Sequence, residues 1–113
     1  MAINTISDRQ LKNQFAKYNR KYWSGELPEH TVLYWEPLPA DATTCPIYEV
    51  DRGQFVIKLN PFVKGLSSFW KINLLHEMIH LALWERHPRH LHGKLFKEEQ
   101  ARIYALGAYQ GLL

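Results

Sequence analysis

The sequence contains a single cysteine, Cys45, among its 113 residues. This excludes an intramolecular disulfide and a zinc ribbon built on cysteine thiolates. The sequence also lacks an apolar run of the roughly 20 residues that a membrane-spanning helix requires. Its amino end, MAINTISDRQLKNQF, is polar and contains no apolar signal region. We therefore expect a reduced, soluble protein of the cytoplasm.

A strong charge of either sign is absent as well. The 14 Lys and Arg residues against 11 Asp and Glu residues leave a net charge of +3. Such a charge permits contact with nucleic acid but does not predict it. The sequence has no repeats and no long linkers, and its hydrophobic content of 46% suffices for one core. We expect a single domain over residues 1–113.

Hydrophobic periodicity predicts three helices. The first begins near Ser7, with Gln10 three residues later as in a capping box, and ends by Gly25. The second is expected to be capped by Ser67 or Ser68 and to end before Pro88. Its apolar surface is too broad for a lightly packed helix, so we expect it in the middle of the fold. The third runs over residues 94–108.

Three short strands are expected between the first two helices. Residues 31–36, 47–50 and 54–60 are rich in β-branched and aromatic side chains and are separated by turn residues. The predicted fold is α+β and zincin-like. An N-terminal helix precedes a small, mainly antiparallel three-stranded sheet, which is followed by the central helix and a C-terminal helix.

The central helix carries the motif His76-Glu77-Met78-Ile79-His80. Residues four apart share a helix face, so the two imidazoles can bind one ion. A catalytic zinc takes three protein ligands and a water, and Glu77 could accept a proton from that water. Burying these polar groups on an apolar helix would be costly without a metal, which favours a metal site over a coincidence.

The spacing does not determine the third ligand. A metzincin would need glycine at 83 and histidine at 86, but the chain has Leu83 and Arg86, so that class is excluded. A gluzincin would use a carboxylate from the next helix. The remaining candidates are His87, His90, His92, Glu98 and Glu99.

Among the histidines, His90 and His92 are better candidates for the third metal ligand than His87. His87 lies too near the helix end to fold back. His92 precedes Gly93, which would allow a sharp backbone turn at the site. Spacing alone makes His90 and His92 nearly equal candidates, and a carboxylate of Glu98 or Glu99 remains an alternative.

The segments HEMIHLALW and HGKLF together resemble the SprT-like family, which includes the Spartan proteases. In that family a helical HExxH is followed by a histidine, a glycine, two variable residues and an aromatic, and His92, Gly93 and Phe96 match this pattern. FVIKLNPFV is similar to the strand before the active-site helix. LKNQFAKYNRKYWSGELP resembles the family's opening helix, with matches at Asn19, Tyr22, Gly25 and Leu27.

The resemblance implies a zinc metalloendopeptidase with one Zn²⁺ per chain, bound by His76, His80 and His92. Glu77 would be the catalytic base. His90 and Tyr104 are candidates for a second electrophile at the oxyanion. The substrates would be proteins or peptides, with DNA-associated proteins among them, and a nucleoid location is an alternative within the cytoplasm.

The family resemblance implies activity linked to DNA, but the sequence shows no dedicated DNA-binding module. The chain ends at Leu113 without a cysteine-based module, so we expect a minimal catalytic core that binds DNA weakly. The candidate contacts are Lys17, Arg20, Lys21, Arg86, Arg89 and Lys94.

The edge of the strand over residues 54–60 could hold an extended peptide. Trp70 and Trp84 are expected in the core, whereas Trp23 and Trp35 could pack there or stack on bases. The alternative function is a nucleic-acid- or peptide-binding module with a non-catalytic zinc site. Glu77 argues against that alternative, because a structural zinc site has no use for a base.

Overall fold

A computed structural model describes residues 7–39, 47–51, 54–84 and 92–113. Within these ranges the chain forms three α-helices, a three-stranded sheet and one short 3-10 helix. In chain order the elements are α1 (Arg9–Trp23), β1 (Val32–Trp35), β2 (Tyr48–Asp51), β3 (Gln54–Leu59), the 3-10 helix Pro61–Val63, α2 (Ser67–Ala82) and α3 (Lys94–Ala105). The predicted α+β class is confirmed.

The sheet is mixed, with the order β1-β3-β2. β3 pairs with β1 in parallel and with β2 in antiparallel orientation. The prediction of a mainly antiparallel sheet is therefore wrong. Only two residues separate β2 from β3, so these strands are antiparallel neighbours. The long connection from β1 to β2 lets β3 enter the sheet between them, beside β1. Because β3 is central, both its faces are largely buried.

Helix α1 begins one residue later than predicted. Its N-cap is Asp8, whose side chain accepts a hydrogen bond from the Leu11 amide at 3.0 Å. The Ser7 hydroxyl instead accepts a hydrogen bond from the Leu33 amide at 3.0 Å, which ties the helix start to β1. The helix ends at Trp23, with Ser24 as its C-cap at a φ of 53°, in agreement with the predicted end by Gly25.

Asn19 fixes the turn that follows α1. Its side chain donates to the Leu27 carbonyl at 3.2 Å and accepts from the Leu27 amide at 3.0 Å. Asn19 is 6% exposed, so both bonds are shielded from water. Each contributes about 0.5–1.5 kcal/mol. This clamp holds Leu27 in the core, next to the cleft described below.

Helix α2 is the buried centre of the fold, as predicted. Leu74, Leu75, Met78 and Ile79 have no exposed surface, and Trp70 is 2% exposed. The helix begins at Ser67, but neither predicted serine caps it: the N-cap is Leu66, which makes no side-chain cap bond. No helix in the described ranges is long and apolar enough to cross a membrane.

Helix α3 ends at Ala105, short of the predicted residue 108. Gly107 has a φ of 92°, and the Ala108 amide donates to the Ile103 carbonyl, a typical helix termination. A side-chain bond joins α3 to α1: the Trp23 Nε1 donates to Glu99 at 3.0 Å. This bond holds α3 against α1, and the buried side chains of Phe96 and Ile103 pack α3 into the core.

Candidate metal centre

Three imidazoles converge where α2 meets the start of α3. The His80 Nε2 lies 3.2 Å from the His76 Nε2 and 3.0 Å from the His92 Nε2. The third side of this triangle, from His92 to His76, is 3.1 Å. His76 and His80 stand one turn apart on α2, and His92 lies just before α3. The structure thus brings together the three histidines that the family resemblance selected.

The triangle suits a cation better than mutual hydrogen bonds. A neutral imidazole has one protonated and one unprotonated nitrogen. Whichever nitrogens carry protons, at least one of the three contacts joins two N–H groups or two lone pairs, and both kinds repel. Three lone pairs around one cation avoid this conflict. Ligand nitrogens around a tetrahedral zinc-sized ion, bound at about 2.0–2.1 Å, are about 3.3–3.4 Å apart. The observed sides are close to that value, so the donor set fits a metal ion.

The three histidines differ in their exposure to solvent. His80 is 5% exposed, His76 is partly buried and His92 is exposed. Burial lowers the pKa of His76 below its ordinary value, and the nearby His92 lowers it further. A lowered pKa keeps that imidazole neutral, which is the form that binds a metal. The exposed His92 leaves the centre open to solvent on one side.

Glu77 lies in the same helical turn as the two α2 ligand candidates and is 4% exposed. Burying a carboxylate in an apolar core costs free energy unless it is paired or lies near positive charge. A cation held by the adjacent histidines would supply such charge. Helix α2 therefore carries two of the three candidate metal ligands and a buried carboxylate.

A cleft of about 870 Å³ is lined by residues of the sheet and of all three helices, and the three histidines are not among its lining residues. Leu81, which follows His80, and Leu95, which precedes Phe96, both line it. Glu49 of β2 and Phe55 of β3 line it as well. The cleft is therefore bordered by the sheet and by the end of α2, the helix that carries His76 and His80.

The family model of the SprT-like family matches residues 11–110. The chain belongs to the SprT-like family. This match covers both the histidine centre and all the helices and strands except the start of α1. A comparison with curated proteins found no match. The family therefore supports a metallopeptidase-type enzyme, and the three histidines support metal binding.

The carboxylates considered as third ligands of this SprT-like centre are engaged elsewhere. Glu99 accepts the hydrogen bond from Trp23 and forms an ion pair with Arg102 at 2.7 Å. Glu98 lies 3.9 Å from Lys94 on an exposed face. Among the described residues, the group able to hold a metal consists of the three histidines. The geometry thus favours a three-histidine set over a gluzincin set.

Other predicted site residues do not join the centre. Tyr104 is 62% exposed and packs on Tyr109 with ring centroids 6.0 Å apart. It lies about 12 Å along α3 from Phe96. Five further residues named from the sequence lie outside the described residues: Cys45, Arg86, His87, Arg89 and His90.

Gly93 does not have the conformation that sequence reasoning assigned to it. It is the N-cap of α3, with a φ of −82° and extended geometry, which any residue adopts. A Cβ atom placed there would meet nothing within 4 Å. The sharp turn expected of a glycine is therefore not what places His92.

Sequence reasoning missed the role of Phe96, which it treated as a motif and packing residue. The Phe96 ring centroid lies 5.0 Å from that of His76 and 4.8 Å from those of His80 and His92. Phe96 is 5% exposed and forms the buried wall behind all three rings. The spacing HGxxF was its only signal in the sequence.

Proposed function

We propose that this SprT-like chain is a zinc-dependent endopeptidase that hydrolyses peptide bonds in protein substrates. The observation that carries the proposal is the triangle of three Nε2 atoms with Glu77 in the same helical turn. Imidazole ligands suit zinc, and three of them leave a coordination position for the reaction. A purely structural site would be closed by a fourth protein ligand.

In the proposed reaction, His76, His80 and His92 hold the zinc ion. When bound, the ion supplies Lewis acidity that polarises the scissile carbonyl and acidifies water. Glu77 accepts a proton from the attacking water, whose oxygen adds to the carbonyl carbon. Glu77 then delivers the proton to the departing nitrogen as the carbon–nitrogen bond breaks. The products are a carboxylic acid and an amine.

We propose that the substrate lies against the edge of β2 that has no strand partner within the described part of the chain. The sequence had suggested the edge of β3, but β3 is paired on both sides within the described sheet. Among the described residues β2 has one strand partner, and its Glu49 lines the cleft together with Leu81, which follows His80. An extended peptide added to this edge would obtain backbone hydrogen bonds and lie along the cleft.

Hydrolysis of an unstructured protein tests this function. The zinc-loaded chain should generate internal fragments with new amino termini, and in ¹⁸O-enriched water each new carboxylate should carry one ¹⁸O atom. Mass spectrometry of the fragments reads both. If the chain binds the substrate but yields no new termini, even when DNA is added, the peptide-binding alternative is correct and the hydrolase proposal is wrong.

We also propose weak binding of single-stranded DNA through α1. This helix contains no acidic residue, and Lys17, Arg20 and Lys21 are exposed on it. Lys94, the other described candidate, is partly neutralised by Glu98. Base stacking on Trp23 finds no support, because that ring is 7% exposed and bonded to Glu99. Contacts would be limited to phosphates and independent of sequence.

Replacing Lys17 and Lys21 by glutamine should weaken this binding and reduce its salt dependence. Each lost phosphate contact lowers the slope of log K against log salt by about 0.7, so the double variant should lose about 1.4. Fluorescence anisotropy on a labelled strand across a salt titration measures the slope. Lys97→Gln, an exposed lysine on α3, is the control. An unchanged slope in the double variant, or no binding by the unsubstituted chain, would disprove the proposal.

A further inference from the structure

The three histidine rings share one aromatic neighbour. The Phe96 ring lies 4.8–5.0 Å from each of the three imidazoles, centroid to centroid. It meets His92 edge to face, at 85°, and the other two rings at 55° and 42°. These separations and angles are those of favourable aromatic pairs. One buried side chain thus contacts every proposed ligand.

Among the described residues, no hydrogen bond to a carboxylate or carbonyl orients the His76 and His92 rings. A metal-bound histidine usually donates its second ring N–H to a carboxylate or a carbonyl, which fixes the ring. Within the described ranges, the polar contacts of His76 and His92 run through Nε2, inside the triangle. The contact that all three rings share there is the one with Phe96.

His92 has the greatest need of such a contact. It is exposed and lies before the first residue of α3, so no helical backbone holds it. Its neighbour Gly93 has an ordinary extended conformation with open space around it. Phe96, by contrast, is held rigidly: it is 5% exposed on a helix that Ile103 and the Trp23–Glu99 bond fix to the core.

We propose that Phe96 is the positioning residue of the metal centre, because its flat ring orients all three imidazoles toward one point. The inference rests on the metal site of the proposed function but not on hydrolysis. Losing the hydrogen-bond partners that orient metal-bound histidines typically costs 10–100-fold in metal affinity, and we expect a loss of the same order for a contact that orients three of them. Phe96 touches no reacting atom, so its effect acts through the histidines.

Phe96→Leu tests this role, because leucine stays apolar but lacks a flat face. We expect Zn²⁺ affinity, measured by competition with a chromophoric chelator, to fall by about 10–100-fold. The Co²⁺-loaded variant should also show altered visible absorption bands, which report ligand geometry. Both are measured under conditions where circular dichroism shows the metal-free variant to be folded. Phe96→Met is the second variant, in case the leucine variant does not fold.

Phe15→Leu is the matched control. Phe15 is 1% exposed on α1 and belongs to the same core, so its replacement removes similar apolar burial. It should lower the unfolding midpoint yet leave the Zn²⁺ affinity and the Co²⁺ spectrum unchanged. If a folded Phe96 variant binds Zn²⁺ as tightly as the unsubstituted chain with the same Co²⁺ spectrum, the positioning role is wrong. If the unsubstituted chain binds no Zn²⁺, the proposed function itself fails.

Discussion

Glu77→Gln should slow peptide hydrolysis by about 10²–10⁴-fold, the usual contribution of a general base. Glutamine has the shape of glutamate, so the buried position should tolerate it without a cavity. The amide cannot accept the proton that the carboxylate takes from water. Because the proposed metal ligands are the three histidines and not Glu77, the variant should keep its zinc.

The measurement pairs the initial rate of hydrolysis with the zinc content of the same preparation. Glu98→Gln is the control, since Glu98 lies on the exposed face of α3, paired with Lys94. It should leave rate and zinc content unchanged. A Glu77→Gln chain that hydrolyses substrate at the unsubstituted rate would rule out the proposed base. Loss of zinc from that variant would instead give Glu77 a role in binding the metal.

His92→Ala should cost more zinc affinity than any outer-contact variant, beyond about 100-fold, because it removes a ligand itself. His76 and His80 remain on α2, so the ion would keep two of its three protein ligands. The loss should appear in chelator competition and in zinc content after dialysis. Hydrolysis should fall with the zinc content.

Two controls separate ligand loss from general damage. His30→Ala removes an exposed histidine that is not among the converging rings, and should have no effect on zinc. Glu99→Gln tests the carboxylate alternative and should also keep the metal, because Glu99 is held by Trp23 and Arg102. Retained zinc in His92→Ala together with released zinc in Glu99→Gln would reverse the assignment of the third ligand.

The sequence predicted the α2 part of the site because it depends on local geometry. His76, Glu77 and His80 fall within two turns of one helix, and helical periodicity places them without further information. His92 is different. The segment between α2 and α3 could bring any of several residues to the metal, so spacing did not distinguish His90 from His92. Only the family resemblance selected His92. The role of Phe96 depends on how α3 packs on α2, which no local pattern contains.

The fold shows the same limit. The helices and strands were predicted within a few residues, because periodicity and turn residues are local signals. The order of the strands is not local: the insertion of β3 between β1 and β2 made the sheet mixed and removed the predicted free edge. The cap of α1 was misplaced because the Ser7 hydroxyl bonds to Leu33, a contact across the fold.

The central claim is that three histidines hold one catalytic zinc ion. Titration of the metal-free chain with Zn²⁺, followed by the initial rate of hydrolysis of an unstructured protein, tests it most directly. The rate should be negligible at the start, rise in proportion to added zinc and level off at one equivalent per chain. A metal-free chain that already hydrolyses substrate at the full rate, or a zinc-saturated chain that never hydrolyses it, would contradict the claim.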